Sequence, residues 1–234
     1  MENFLNIFLL GDVPNDLVSF TFFIGTMAMM AASVFFFLSL DAGGGKWRTS
    51  MLVSGLITFI AAVHYYYMRD ANVSGADVTF FRYVDWILTV PLMCVEFYLI
   101  LAKAGATKKL MWQLIGLSTV MLVAGYIGET GDSPVLYGTI SGIAYFVMVG
   151  MLWLGSPKAL AEKAGGSVLE AYNALCWFIL VGWSIYPIGY MIGTDGWYDF
   201  VDAIPLDMDV VYNIGDAINK IGCGLVIYKL EVSM

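Results

Sequence analysis

Charge is scarce in this chain. Asp, Glu, Lys and Arg make up 13% of its 234 residues and hydrophobic side chains 60%, whereas soluble domains run at about a quarter charged and about half apolar. That scarcity excludes a soluble domain of this size, and the mean hydropathy of +0.79 points to an integral membrane protein. Cysteine is also sparse: Cys94, Cys176 and Cys223 are odd in number and all lie in apolar stretches, which excludes a disulfide framework and leaves them as small buried hydrophobes. The opening MENFLNIFLL lacks a basic n-region, so it reads as mature sequence lying against the outer surface rather than as a secretion leader. No long linker and no low-complexity tract interrupts the chain. At about 20 apolar residues per span, its length accommodates roughly seven spans and no second domain.

What is present are seven runs with few or no charges, at about 17–40, 51–68, 79–101, 110–128, 135–154, 171–192 and 210–228. The expected fold is therefore an all-α membrane protein, a single seven-transmembrane-helix bundle over residues 1–234. Turn-forming residues separate the runs, as in Gly43-Gly44-Gly45, Gly131-Asp132-Ser133-Pro134 and Gly193-Thr194-Asp195-Gly196. Gly138 and Gly142 form a small-xxx-small pair suited to close helix packing. Lys46, Arg48, Lys103, Lys108, Lys109, Lys158, Lys163 and Lys229 fall in connections or tails on one side, and only Arg69 falls on the other. The positive-inside rule then places the N-terminus outside and the C-terminus in the cytoplasm. The formal charge of −8 is unevenly spread, with Asp195, Asp199, Asp202, Asp207 and Asp209 crowding the last connection, where they read as a solvated loop.

Five ionisable residues nevertheless fall inside the runs: Arg82, Asp85 and Glu96 on the third, and Asp216 and Lys220 on the seventh. His64, the sole histidine, lies near the outer end of the second. Charge at that depth is costly and usually functional. Salt bridges that merely fix packing are the plain alternative, but buried pairs stabilise poorly compared with apolar packing. At about 100° per residue, Arg82, Asp85 and Thr89 share one helical face, and Glu96 returns to within about 20° of it, about 16 Å further along. Asp216 and Lys220 stand one turn apart, with the lysine near the bilayer centre. A buried lysine serves either as a neutral amine or, by condensing with an aldehyde and releasing water, as a Schiff base. A protonated Schiff base needs a counter-ion. Asp85 and Asp216 would supply one, with Arg82 offsetting the excess negative charge.

At these residues the chain resembles the microbial rhodopsins, most closely the proteorhodopsins. The run RYVDWILTVPLMCVE (82–96) is similar to their third helix, and YNIGDAINKIGCGLVIY (212–228) to their retinal-bearing seventh. GWSIYPIGY (182–190) on the sixth run and HYYYMR (64–69) on the second extend the likeness over most of the chain. The resemblance implies a light-driven outward proton pump, a transporter rather than an enzyme, whose cofactor is all-trans retinal bound to Lys220 as a protonated Schiff base. It implies Asp85 as counter-ion and proton acceptor, Asp216 as second counter-ion and Glu96 as cytoplasmic proton donor. Thr89 would complete the Asp–Thr–Glu triplet of these pumps, and His64 would hydrogen-bond to Asp85. Trp86, Met93, Trp183, Tyr186, Pro187 and Tyr190 would wall the retinal pocket. An apolar Met93 in place of Gln implies green absorption. Pro187 would make the sixth helix a moving part for cytoplasmic access.

Bland alternatives stand beside these roles: core aromatics for Trp86 and Trp183, an interfacial residue for Tyr190, core packing for Met93 and a structural histidine for His64. The resemblance further implies a bacterial inner-membrane protein assembled as a ring of protomers, with no metal and no nucleic acid. It leaves open whether a carotenoid antenna sits beside the retinal. A photosensory rhodopsin signalling through a partner is the competing function. The acid at Glu96 and the near-absence of a cytoplasmic tail weigh against it. A chloride pump would lack the acid at Asp85, and a sodium pump would carry Asn and Gln in place of Asp85 and Glu96. A seven-helix transporter with no chromophore is the remaining alternative.

Overall fold

The computed structural model describes residues 16–194 and 207–233. The expected surface segment MENFLNIFLL and the acids Asp195, Asp199 and Asp202 lie outside the described residues. Within them the helices run α1 Leu17–Leu38, α2 Arg48–Val73, α3 Thr79–Leu101, α4 Lys108–Thr130, α5 Pro134–Leu154, α6 Ser156–Ala164, α7 Gly166–Trp177, α8 Ile185–Ile192 and α9 Met208–Val232. Seven helical stretches are long and apolar enough to cross a bilayer, which is the expected architecture of a multi-pass membrane protein.

Helix ends follow local chemistry. Asp16 caps α1 by accepting the Ser19 N–H at 2.7 Å, which holds its carboxyl below the usual carboxylate range. Asp207 caps α9 by accepting the Asp209 and Val210 N–H groups. The second and seventh runs extend beyond their apolar cores. Helix α2 continues through Arg69 to Val73, and Arg69 is buried rather than lying in a connection.

The connection carrying Lys158 and Lys163, expected to be a loop, contains helix α6. Pro157 stands in its first turn, where a missing N–H costs nothing, Gly165 ends it at φ +64°, and Gly166 opens α7 at φ +49°. The sixth span begins at Gly166 rather than 171 and is not one continuous α-helix. A π turn at Phe178–Gly182 separates α7 from α8. The Tyr145 hydroxyl of α5 donates to the Ile179 and Leu180 carbonyls within that turn, at 3.0 and 2.9 Å, satisfying groups that the widened turn frees.

Sequential helices pack side by side from α1 to α5, and α9 closes the ring against α1, α2 and α7. Phe22, Met29, Tyr65, Met93, Phe97 and Tyr172 fill the interior, while Phe20, Leu38, Phe146 and Leu154 face outward. An apolar exterior is what lipid requires, since backbone polar groups are satisfied inside the helices. The basic side chains gather at one end, where the Lys46 and Lys103 ammonium groups both lie over the Trp47 ring and Lys229 pairs with Glu170 at 3.3 Å.

That end is fastened by a residue the sequence reading passed over. Glu231, fully buried on α9, accepts the backbone N–H groups of Gly43, Gly45 and Trp47 at 3.2, 2.6 and 2.7 Å. Any side chain at Gly43 would collide with α9, because a β-carbon there would lie 1.7 Å from the Glu231 carbonyl oxygen. Glu231→Ala should therefore cost about 3 kcal/mol or more, since three buried donors lose a charged acceptor. Thermal unfolding in detergent micelles checks this, and a midpoint unchanged by the substitution would show the clamp to be dispensable.

Candidate functional site

Lys220 projects from the middle of α9 into the bundle and is 2% exposed. Its Nζ donates to the Asp85 carboxylate from α3 and to Asp216 Oδ2 at 2.8 Å, one turn back on α9. Local geometry dictates the second contact, because residues four apart on a helix are neighbours. The first requires α3 and α9 to face each other. A buried cation in so little water needs such partners.

The two aspartates differ in what surrounds them. Asp216 also accepts from the Tyr65 hydroxyl at 3.0 Å, from Trp86 Nε1 at 3.1 Å and from the Tyr186 hydroxyl. Four side chains from α2, α3, α8 and α9 thus converge on it. Asp85 receives only Lys220 on one oxygen, and its Oδ1 has no hydrogen-bond partner among the described residues. Asp85 can therefore take up a proton without giving up a hydrogen bond, whereas Asp216 is committed four times over.

Two expectations about neighbours need correction. His64 was expected to hydrogen-bond to Asp85, but its Nδ1 lies 3.9 Å from Asp85 Oδ1, too far for that bond. The same nitrogen is 2.9 Å from the Ile60 carbonyl one turn earlier, so its own helix has captured the ring. Arg82 does not pair with the Asp85–Asp216 couple. Its guanidinium donates to Asp209 at 2.7 Å and to Asn213 at 3.5 Å, and it lies over the Tyr212 ring at 5.0 Å. Asp209, assigned from sequence to the solvated acidic loop, sits in the first turn of α9 and draws the arginine away. Thr89 lies one turn from Asp85 as expected, and its hydroxyl donates to the Asp85 backbone carbonyl at 2.9 Å.

Glu96 is buried on the same face of α3, and its Oε1 accepts from the Ser54 hydroxyl at 3.1 Å. A cavity of about 10 Å³ lies between Glu96 and Lys220, walled by Met93, Phe97 and Leu175 among others. That is room for about one water molecule.

A much larger cavity of about 600 Å³ begins at Lys220 and Asp216 and runs among α3, α4, α5, α8 and α9. Trp86, Met93, Trp183, Tyr186, Pro187 and Tyr190 all line it, as the sequence reading expected. Tyr190 serves a second purpose, donating to the Pro134 carbonyl at 2.7 Å and so tying α8 to the start of α5. The aromatic rings hold one another: Trp86 meets Tyr186 edge-on at 4.8 Å, and Tyr186 stacks on Tyr212 at 5.8 Å. The size is that of a small-molecule site. An apolar channel ending in a lysine amine fits a long apolar aldehyde.

Tyr65, Met121, Leu122, Gly125, Tyr145 and Asn219 also belong to the site or its walls and had been given no role. Tyr65 was within reach, since it follows His64 in a motif already singled out. The others look like ordinary core residues until the helices are placed.

Seven membrane-length helices enclosing a lysine between two aspartates, at the end of an aromatic cavity, define a membrane protein of the rhodopsin type. The chain belongs to the bacteriorhodopsin-like family, whose model matches residues 16–234. It is 44% identical over 230 residues to a blue-light absorbing proteorhodopsin of the gamma-proteobacterium Hot 75m4, covering 95% of this chain and 89% of that one. A green-light absorbing proteorhodopsin of the gamma-proteobacterium EBAC31A08 is 42% identical over 229 residues, with 95% and 90% covered. Among solved structures, the blue light-absorbing proteorhodopsin from Med12 superposes with a TM-score of 0.77 at 36% identity, covering 93% of this chain and 99% of that one.

Asn219 of α9 reaches across to donate to the carbonyl of Gly182, the last residue of the π turn, at 3.0 Å. A β-carbon at Gly182 would lie 1.9 Å from Asn219 Oδ1. Gly182→Ala should cost about 1–3 kcal/mol through overpacking, and less in an Asn219→Ala background. Unfolding midpoints of the two single variants and the double variant measure the coupling; strict additivity would mean the contact carries no constraint.

Proposed function

We propose that this protein is a light-driven outward proton pump carrying all-trans retinal on Lys220. The observation that carries the reading is the asymmetry around the lysine nitrogen, with an uncommitted oxygen on Asp85 and a fully engaged Asp216. Retinal bound at Lys220 would supply an absorbing polyene and a light-driven change in the direction and affinity of the nitrogen's proton. Asp85 takes that proton on its open side. Asp216, pinned by Tyr65, Trp86 and Tyr186, stays in place as the remaining counter-charge. Glu96 returns a proton to the nitrogen from the opposite direction, with Ser54 orienting its carboxyl and the small cavity bridging part of the gap. A buried acid placed to resupply the lysine favours a pump over a sensor, which has little need of fast reprotonation.

Direction rests on orientation. The basic end of the bundle would face the cytoplasm of a bacterial cell, which puts Glu96 on the cytoplasmic half of α3 and Asp85 on the outer half. Met93, an apolar wall of the cavity, supports absorption in the green.

Cells or vesicles holding the retinal-loaded protein should acidify the medium on illumination, and a protonophore should abolish the change. Asp85→Asn should remove transport and shift the band to longer wavelength, and transport persisting in that variant would refute the acceptor role. Glu96→Gln should slow reprotonation by about 10²-fold or more, read as prolonged recovery of the visible band after a flash. Recovery at the parental rate would leave the sensory reading in place.

A further inference from the structure

The three cysteines read alike in the sequence, as small buried hydrophobes, and the structure separates them. Cys223 lines the cavity of about 10 Å³ between Glu96 and Lys220, whereas Cys94 and Cys176, also buried, do not. It stands three residues beyond Lys220 on α9, about 60° around the helix and about 4.5 Å nearer the basic end of the bundle. That is the side of the lysine from which Glu96 approaches. Its neighbours hold it there. A β-carbon at Gly222 would lie 2.4 Å from the Phe178 ring and one at Gly224 2.3 Å from the Phe36 ring, so α9 packs closely on both sides of the thiol.

The same cavity meets a carboxyl oxygen that lacks a partner. Glu96 is 2% exposed, its Oε1 accepts from Ser54 at 3.1 Å, and its Oε2 has no hydrogen-bond partner among the described residues. A buried oxygen of that kind calls for a donor. A buried water persists where about two to four polar groups surround it. Ser54, Glu96, Lys220 and Cys223 border this cavity, and no other side chain on its walls can donate a hydrogen bond. A thiol both donates and accepts weakly, which suffices to orient a water without taking its proton.

We propose that Cys223 is a positioning residue for reprotonation of the lysine nitrogen, its thiol holding a single water between Glu96 and Lys220. The proposal rests on the pump reading above and deepens its donor arm. Glu96 gives its proton to the water as the water gives one to the nitrogen. The acid's O–H bond breaks, an N–H bond forms, the water is regenerated and Glu96 is left as the carboxylate. The thiol keeps its S–H bond throughout, and only the hydrogen bond it makes to the water changes.

Flash kinetics and light-induced infrared difference spectra of the retinal-loaded protein in lipid vesicles test the role. Cys223→Val removes the donor at nearly constant volume and should slow recovery of the visible band by about tenfold or more, with the dark band at its parental position. Cys223→Ser, which keeps a donor and an acceptor, should restore most of the parental rate. The parent should show an S–H stretching change together with the carboxyl change of Glu96. That change should vanish in Cys223→Val and survive in Cys176→Ser, whose thiol lies outside the cavity. Recovery of Cys223→Val at the parental rate, equal slowing in Cys223→Ser, or no S–H change in the parent would overturn the role. If Cys223→Val gives no visible band, the infrared comparison decides: an S–H change surviving in both Cys94→Ser and Cys176→Ser assigns it to Cys223, and its loss in either removes the proposal. Unslowed recovery in Glu96→Gln would remove the donor and this proposal with it, whereas slow Glu96→Gln beside unslowed Cys223→Val removes the thiol's role alone.

Discussion

A single ammonium group held between two carboxylates in a space without bulk water is the constraint on which this bundle depends. In such a medium an unpaired charge costs several kcal/mol even after relaxation, so Lys220 cannot be buried unless Asp85 and Asp216 are brought to it. Asp216 comes with the lysine on the same helix. Asp85 does not, and its contact fixes how α3 and α9 lie against each other. Arg82 would add a second cation to this group, but it is neutralised separately by Asp209. Arg82 and Lys220 are thus neutralised in separate clusters, and the lysine's cluster has two carboxylates for one cation.

Identity of side chain does not settle chemical role here. Both aspartates touch the same nitrogen and both are buried. What separates them is the supply of other donors. Tyrosine and tryptophan provide it, which explains why aromatic residues crowd a place where a purely apolar lining would suffice for the ligand. They form the wall of the cavity on one side and hold the counter-charge with their polar tips on the other.

Much of this was legible in the sequence. The spans and their order follow from hydropathy, and the positions of Lys220, Asp85, Asp216 and Glu96 follow from helical periodicity and motif. All six expected pocket residues do line the cavity. What failed were statements about which polar atoms meet. His64 is positioned by its own Ile60 carbonyl, and Arg82 follows an acid that sequence reading left in a loop. Both outcomes depend on distances of a few ångströms across helices, which periodicity does not encode. Glu231 was missed for a related reason, since its partners are backbone N–H groups more than 180 residues away, and backbone donors carry no signature in side-chain identity.

The π turn at Phe178–Gly182 bears on how the ligand-binding wall is set out along the chain. A turn of this kind accommodates one residue more than an α-helix would over the same rise. Everything after it is rotated by about 100° relative to an uninterrupted helix. Trp183, Tyr186 and Tyr190 owe their inward direction to that offset, while α7 before the turn keeps the facing that suits Tyr172 and Leu175. The two halves of the sixth span are in this sense keyed separately. Tyr145 and Asn219 act as the stops that keep the keying from slipping.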